Sequence, residues 1–255
     1  MPLSKSKIGR VYGWKPGRPS MHHKKFGIVY PAESLPPQVS ALTAFIPAWD
    51  QGQLGSCTAH GTGRIWSHRY AIEKKTMNPP MPSRLFIYYN ERAMEGSTDS
   101  DDGAAVSDGL QVLATLGAPV EADWPYDISQ FAVKPPEAAY LDALQEVALQ
   151  YENVDERNIN AIKSALALGF PITFGTTLFE SFEDSWSVPG VMPMPGPKEQ
   201  MIGGHCMCID GYDNSMQAFH VMNSWGTGWG MSGAFWMPYA NLVNCSDMWI
   251  LKAIK

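Results

Sequence analysis

The spacing of hydrophobic positions changes character along this chain. From Cys57 to about Lys75, Ile65, Trp66, Arg69, Tyr70 and Ile72 recur at helical spacing behind a capping Ser56, which predicts a helix with one inner face. Gly61 and Gly63 lower helix propensity there but let a second element come close. Ser83 to Met94, carrying Leu85, Phe86, Tyr88 and Tyr89, predicts a second helix; Ser107 to Leu116, capped by Ser107 and stopped by Gly117, predicts a third. Shorter helices are expected from Glu137 to Ala143 and from a cap at Asp155 to Gly169. In the second half the period drops to two. Val147, Leu149 and Tyr151 alternate, and Pro171–Phe179, Gly204–Tyr212, Phe219–Asn223 and Gly233–Pro238 read as strands between Gly, Pro and Asp turns. Residues 187–200 hold four prolines and no period, so a loop is expected. Helices first and strands later imply an α+β protein of two lobes, with a cleft between them as the favoured place for a site.

The first 34 residues stand apart from this pattern. They are rich in Pro, Gly and Lys and read as an arm, with the folded body beginning at Pro36-Pro37. Residues 1–32 carry seven Lys or Arg and no acid, whereas the remainder carries twelve basic and twenty-five acidic residues. A cationic arm on an anionic body can lie along that body, and Tyr12, Trp14 and Phe26 are anchors that a free tail would not need. The domain division is therefore 1–34 as arm or short pro-segment and 35–255 as body, with a left lobe mainly at 50–130 and a right lobe mainly at 140–255. No run of eighteen apolar residues is present and no apolar region follows the basic start, so neither a membrane span nor a secretory signal is read. Four cysteines are few and suggest a reducing compartment. Cys206 and Cys208, two apart on a strand, point to one face as small buried hydrophobes, and no metal or cofactor is expected.

Chemistry enters through four residues. Cys57 opens a predicted helix, where the helix dipole and free N–H groups favour a thiolate. His205 can activate it and protonate a departing amine. Asn223 can accept from the other ring nitrogen and fix the imidazole. Gln51, six residues before Cys57, can donate to a developing oxyanion together with the Cys57 backbone N–H. His22, His23, His60, His68 and His220 have no such partners, and Asp99-Ser100-Asp101-Asp102-Gly103 reads as an acidic surface turn.

Gln51 to Ala59 and Asn223 to Gly230 resemble the two best-known signatures of the papain-like cysteine peptidases, and His205-Cys206-Met207 followed by Gly211-Tyr212 resembles the histidine strand between them. Here His205 follows Cys57 by 148 residues and Asn223 by 166, a slightly longer layout than the spacing of about 130–150 known for that type. The likeness extends more weakly to Trp124-Pro125-Tyr126 and is nearest the short-armed bacterial and viral members. It implies a helical left lobe carrying Cys57 and an antiparallel, β-barrel-like right lobe carrying His205 and Asn223. It carries over Cys57, His205, Asn223 and Gln51 as the catalytic set, Trp225 as a shield over the His–Asn bond, and Gly103-Ala104 as the backbone that binds extended substrate. Val106, Gly175 and Gly204 are the expected pocket walls. The departures are Leu54 for a disulfide cysteine, Thr58 for an aromatic, Ala104 for a glycine, and the short arm in place of a long inhibitory propeptide.

The function expected is peptide hydrolysis through a thiolate–imidazolium pair and an acyl-enzyme. A transpeptidase or ligase on the same site, and a catalytically silent binding protein on a peptidase scaffold, are the alternatives. Expected partners are a peptide or protein substrate and the chain's own arm in its cleft; membrane and nucleic acid are not expected. The setting expected is cytoplasmic, or associated with a virus or phage.

Overall fold

The structure, a computed structural model, describes residues 9–17, 23–184 and 190–255. Lys5, Lys7 and Arg18 of the basic arm and residues 187–189 of the proline-rich loop lie outside them. The helices are α1 (Cys57–Lys74), α2 (Arg84–Glu95), α3 (Val106–Thr115), α4 (Glu137–Ala143), α5 (Ile159–Ala167) and α6 (Glu180–Asp184). The strands are β1 (Gln38–Val39), β2 (Ala148–Asn153), β3 (Ile172–Phe179), β4 (Met201–Asp213), β5 (Ala218–Met222), β6 (Ala234–Pro238) and β7 (Cys245–Ile254). All pairings are antiparallel, in the order β2-β7-β3-β4-β5-β6, with β1 also on β4.

Helix α1 departs from the one-faced helix that its sequence predicts. Every residue from Cys57 to His68 is buried, because α1 runs between α2 and α3 on one side and β4 and β7 on the other. Ile72, expected inside, is exposed one turn beyond this enclosed stretch. The glycines do what their size allows. A Cβ on Gly61 would lie 2.6 Å from Thr173 Oγ1 and 2.7 Å from Cys206 Sγ, so the helix rests directly on β3 and β4. Cys206 and Cys208 are buried in one cluster with Cys57 and Trp66, and all four cysteines are free.

Three predicted caps move. The Ser56 hydroxyl makes no cap bond and turns to Tyr126 instead. The residue before α3 is Ala105, not Ser107, and α5 is capped by Asn158, whose Oδ1 accepts from Asn160 and Ala161 N–H at 3.1 Å. Asp155 accepts from the Arg157 N–H in the preceding turn. The last strand, β7, has no counterpart in the sequence reading. Its alternation is broken at Asp247, which has φ +56°. Between Thr173↔Trp249 and Gly175↔Ser246, two steps on β3 face three on β7, which is a bulge at Asp247 and Met248.

His60 and His220 are satisfied in the interior. His220 Nδ1 lies 2.6 Å from Asp210 Oδ1, and the same carboxylate accepts from the Thr43 hydroxyl at 2.6 Å. Among the described residues no helix is long and apolar enough to cross a membrane.

The arm lies on the body. Tyr12, Trp14 and Phe26 are buried. Residues 24–26 pair with Asn153 at the free edge of β2, through Phe26 N–H to Asn153 O and Asn153 N–H to Lys24 O, both 2.8 Å. Residues 11–15 cross the cleft between the lobes.

Candidate active site

Cys57 is the first residue of α1, and its sulfur faces the backbone N–H groups of Cys206, Gly13 and Thr58. His205 sits on β4 opposite Thr176 of β3, and its Nε2 lies 2.7 Å from Asn223 Oδ1 just after β5. An amide oxygen only accepts, so Nε2 carries the proton and Nδ1 presents its lone pair. That Nδ1 has no hydrogen-bond partner among the described residues. Asn223 Oδ1 also accepts from the Ser224 N–H at 2.7 Å, which fixes the amide. The Trp225 ring lies 5.2 Å from the imidazole and is backed by Phe182 and Trp229, so water is kept from the His–Asn bond.

Gln51 is held from both lobes. Its backbone N–H donates to Ser224 O at 2.9 Å, and its Oε1 accepts from the Ser224 hydroxyl at 2.6 Å. With Oε1 engaged, the amide cannot flip, and Nε2 donates to Leu54 O at 2.9 Å and to Val11 O of the arm at 3.0 Å. Gln51 thus already donates to the carbonyl of a peptide lying in the cleft.

The arm continues past Cys57 as a strand. Ala104 N–H donates to Gly13 O at 2.8 Å, and Lys15 N–H donates to Ala104 O at 2.9 Å, a parallel bridge. From the other lobe, Gly204 O accepts the Trp14 N–H at 3.0 Å. Gly13 is squeezed between Gly55 and Gly103: a Cβ on it would stand 1.7 Å from Gly55 O. The Trp14 ring fills the space over Gly175 and Gly204, where a Cβ on Gly175 would be 1.8 Å from the indole. Asp247, aimed by its bulge, lies beside that ring with Oδ2 3.4 Å from the indole Nε1 and 3.0 Å from the Val106 N–H. Its Oδ1 accepts from Trp249 Nε1 at 2.6 Å. Asp101 braces the left lip by accepting from Gly55 N–H at 3.0 Å and from the Tyr88 hydroxyl.

Burial acts against the charged form of both Cys57 and His205. Desolvation pushes the Cys57 thiol up to about 12, against the N–H groups that favour the thiolate. Desolvation also takes His205 down to about 4, against the bond to Asn223, with the Arg10 charge acting in the same direction as burial. Burial in the covered cleft thus opposes the thiolate–imidazolium form that the start of α1 favours.

The family profile described as papain family cysteine protease matches residues 38–249. This chain belongs to the papain family of cysteine proteases. The protease is similar to xylellain, a cysteine protease from Xylella fastidiosa, with 33% identity and a TM-score of 0.89, covering 100% of this chain and 99% of that one. It is 41% identical over 217 residues to a peptidase C1-like protein of Acanthamoeba polyphaga mimivirus, covering 80% of this chain and 69% of that protein. A procathepsin B from Trypanosoma congolense, 14% identical with a TM-score of 0.76 over 98% of this chain and 88% of that one, shares the fold. The expected papain-like α+β architecture and the hydrolase class both hold.

In this papain-family protease, Cys57, Gln51 and His205 face arm residues 11–13 with Asn223 behind His205, and Gly103, Ala104, Val106, Gly175 and Gly204 surround Gly13 and Trp14 or the carboxylate beside them. Sequence reading assigned no role to Ser224, Asp247, Tyr126 or Gly13. Ser224 lay inside a recognised motif, so its role was within reach. Asp247 was hidden because the signal for β7 is broken at that residue.

Proposed function

We propose that this chain hydrolyses peptide bonds through Cys57, and that residues 11–15 of its arm hold the site closed. The observation that carries the reading is the Gln51 amide, locked by Ser224 and donating to the Val11 carbonyl of an arm whose Gly13 N–H faces Cys57. When the arm leaves, water and substrate reach the pair, and desolvation no longer opposes transfer of the thiol proton to His205 Nδ1. The Cys57 sulfur attacks the scissile carbonyl carbon, and Gln51 Nε2 and the Cys57 N–H take the oxyanion. His205 gives its proton to the leaving nitrogen as the C–N bond breaks, leaving a thioester. Water, deprotonated by His205, then releases the acid and restores the thiol.

The arm also supports a reading of specificity. Trp14 occupies a pocket with Asp247 at its side, so a large side chain with an N–H donor is the preferred occupant. The mimivirus relative supports a viral setting.

Gly13→Val tests the closure in the full chain, because the new side chain has no room against Gly55. Peptide turnover rises at least about ten-fold, since expelling the arm removes several backbone bonds. Adding Cys57→Ala to that variant abolishes turnover and keeps the fold. Equal rates for Gly13→Val and the parent chain overturn the closure; turnover by the Cys57→Ala variant overturns the mechanism.

A further inference from the structure

Behind the turn from Gln51 to Cys57 lies a partly buried polar chain that the reaction as described does not use. The Tyr126 hydroxyl donates to the Gln51 backbone carbonyl at 3.0 Å. Its one proton is committed there, so the Ser56 hydroxyl, also in contact with it, must donate to the Tyr126 oxygen. Tyr126 thereby ties residue 51 to residue 56, the two ends of the turn that separates the proposed oxyanion donor from the nucleophile.

Tyr126 is itself fixed. Its N–H donates to Glu121 Oε1 at 3.0 Å, and the Arg84 guanidinium stands 4.4 Å from its ring centroid. Arg84 pairs with Glu121, with Nη2 to Oε1 at 2.5 Å and Nε to Oε2 at 3.3 Å. A second branch runs from Arg84 Nη1 to His60 Nε2 at 3.2 Å, and from His60 Nδ1 to Ser56 O at 2.9 Å. Nε2 can only accept from a guanidinium, so His60 is the neutral Nδ1–H tautomer. Burial first, and the Arg84 charge second, hold its pKa well below the ordinary value. Both branches end on the same turn, and every member has a partner, which is the condition under which a buried polar network fixes one geometry.

We infer that Tyr126 is a positioning residue for catalysis, acting through Gln51 by clamping the 51–57 turn to the Arg84–Glu121 pair. The inference rests on the reading of Gln51 as oxyanion donor. It differs from a general packing role because the hydroxyl touches the turn while the ring carries the packing. Removing the hydroxyl leaves the ring under Arg84 and the Ser224 bonds in place but frees the carbonyl of Gln51, so the backbone that carries the amide is no longer tied to Ser56.

A double-mutant cycle in the full-length Gly13→Val chain tests this. Tyr126→Phe lowers kcat about ten-fold, the worth of one buried hydrogen bond, with KM within about two-fold. Iodoacetamide labelling of Cys57 stays within about two-fold, because the nucleophile itself is untouched. In a Gln51→Ala background the same substitution changes kcat less than about two-fold, since there is no donor left to aim. A full ten-fold loss in both backgrounds, or a loss shared by labelling, overturns the inference. So does an unchanged kcat for Tyr126→Phe where Gln51→Ala is impaired. If Gln51→Ala itself turns over normally, the oxyanion reading fails instead, and the inference falls with it. Should Tyr126→Phe not fold, Ser56→Ala replaces it in the same cycle, with a drop of about three-fold expected only when Gln51 is present.

Discussion

Two segments touch the peptide-binding face of Cys57, and they are held in opposite ways. The turn from Gln51 to Cys57 is fixed by side-chain hydrogen bonds, with Ser224, Tyr126 and Asp101 each bound to it. Arm residues 10–15 are held by strand-like backbone bonds, the inserted rings of Tyr12 and Trp14, and polar contacts that reach the surface, such as Lys15 to Glu95 at 2.6 Å. Side-chain networks of the first kind specify one geometry; backbone bonds of the second kind can be exchanged for those of any other extended peptide. The difference marks one segment as machinery and the other as an occupant. The proposed release of the arm fits its cations over an acidic body, since long-range attraction favours return without locking it in place.

The sharpest break in this comparison is Trp14→Ala. A buried indole contributes on the order of 3 kcal/mol, so its loss raises turnover of the full chain by about a hundred-fold if the arm is the occupant that limits activity. Measuring kcat/KM against the parent chain decides; an unchanged value places the grip elsewhere. Next is Asp247→Leu in the Gly13→Val chain. Profiling cleavage of a peptide library gives a loss of about ten-fold in preference for donor-bearing side chains over plain aromatic ones, with the plain aromatics unaffected. An unaltered profile removes Asp247 from specificity. Lys15→Ala has the smallest effect on activity. Its ion pair with Glu95 is about one-third exposed on each side, so solvent screening leaves less than about a three-fold change. A larger release assigns the arm's hold to charge instead of the inserted ring.

The same contrast governs how much was legible in the sequence. The machinery was readable because each part needs a particular residue type: a thiol at a helix start, an imidazole, and two amides. The helix over Ser83–Met94 and the strands at 171–179 and 204–212 followed from period alone, and α2, β3 and β4 lie close to those bounds. Supporting residues were harder. Ser56 and Ser107 look like caps by type, but the Ser56 hydroxyl is drawn away by a tyrosine seventy residues distant, and no local rule contains that competition. Asp247 was invisible because a bulge carries no periodic signature. Tyr126 was noticed only as part of Trp124-Pro125-Tyr126, since its partners lie on other elements. Gly13 reads as an ordinary arm glycine until Gly55 and Gly103 are seen on either side of it.

One further residue belongs to the fixed region and not to the exchangeable one. Glu91 of α2 lies fully buried beneath the nucleophile helix, with Oε2 accepting from the Thr58 hydroxyl at 2.7 Å and Oε1 without a partner among the described residues. Thr58, where the resemblance implies an aromatic, thus reaches a carboxyl instead. Burial, which outweighs the Thr58 bond, raises the Glu91 pKa well above its ordinary 4.5, with the charges of Asp108 and Glu95 adding to the rise. The folded chain therefore keeps a proton that the unfolded chain gives up. Its stabilising share is full below about pH 4.5 and is lost as pH rises toward the folded value. Asp108, raised to about 6, adds a loss of the same sign over a lower range. Glu91→Gln keeps an acceptor for Thr58 without a titrating proton. Its Tm matches the parent near pH 4.5 and exceeds it at pH 7 in thermal unfolding. A parent whose Tm is flat over that range, or a variant that falls just as steeply, places the carboxyl in a solvated setting and removes Glu91 from the buried network under Cys57.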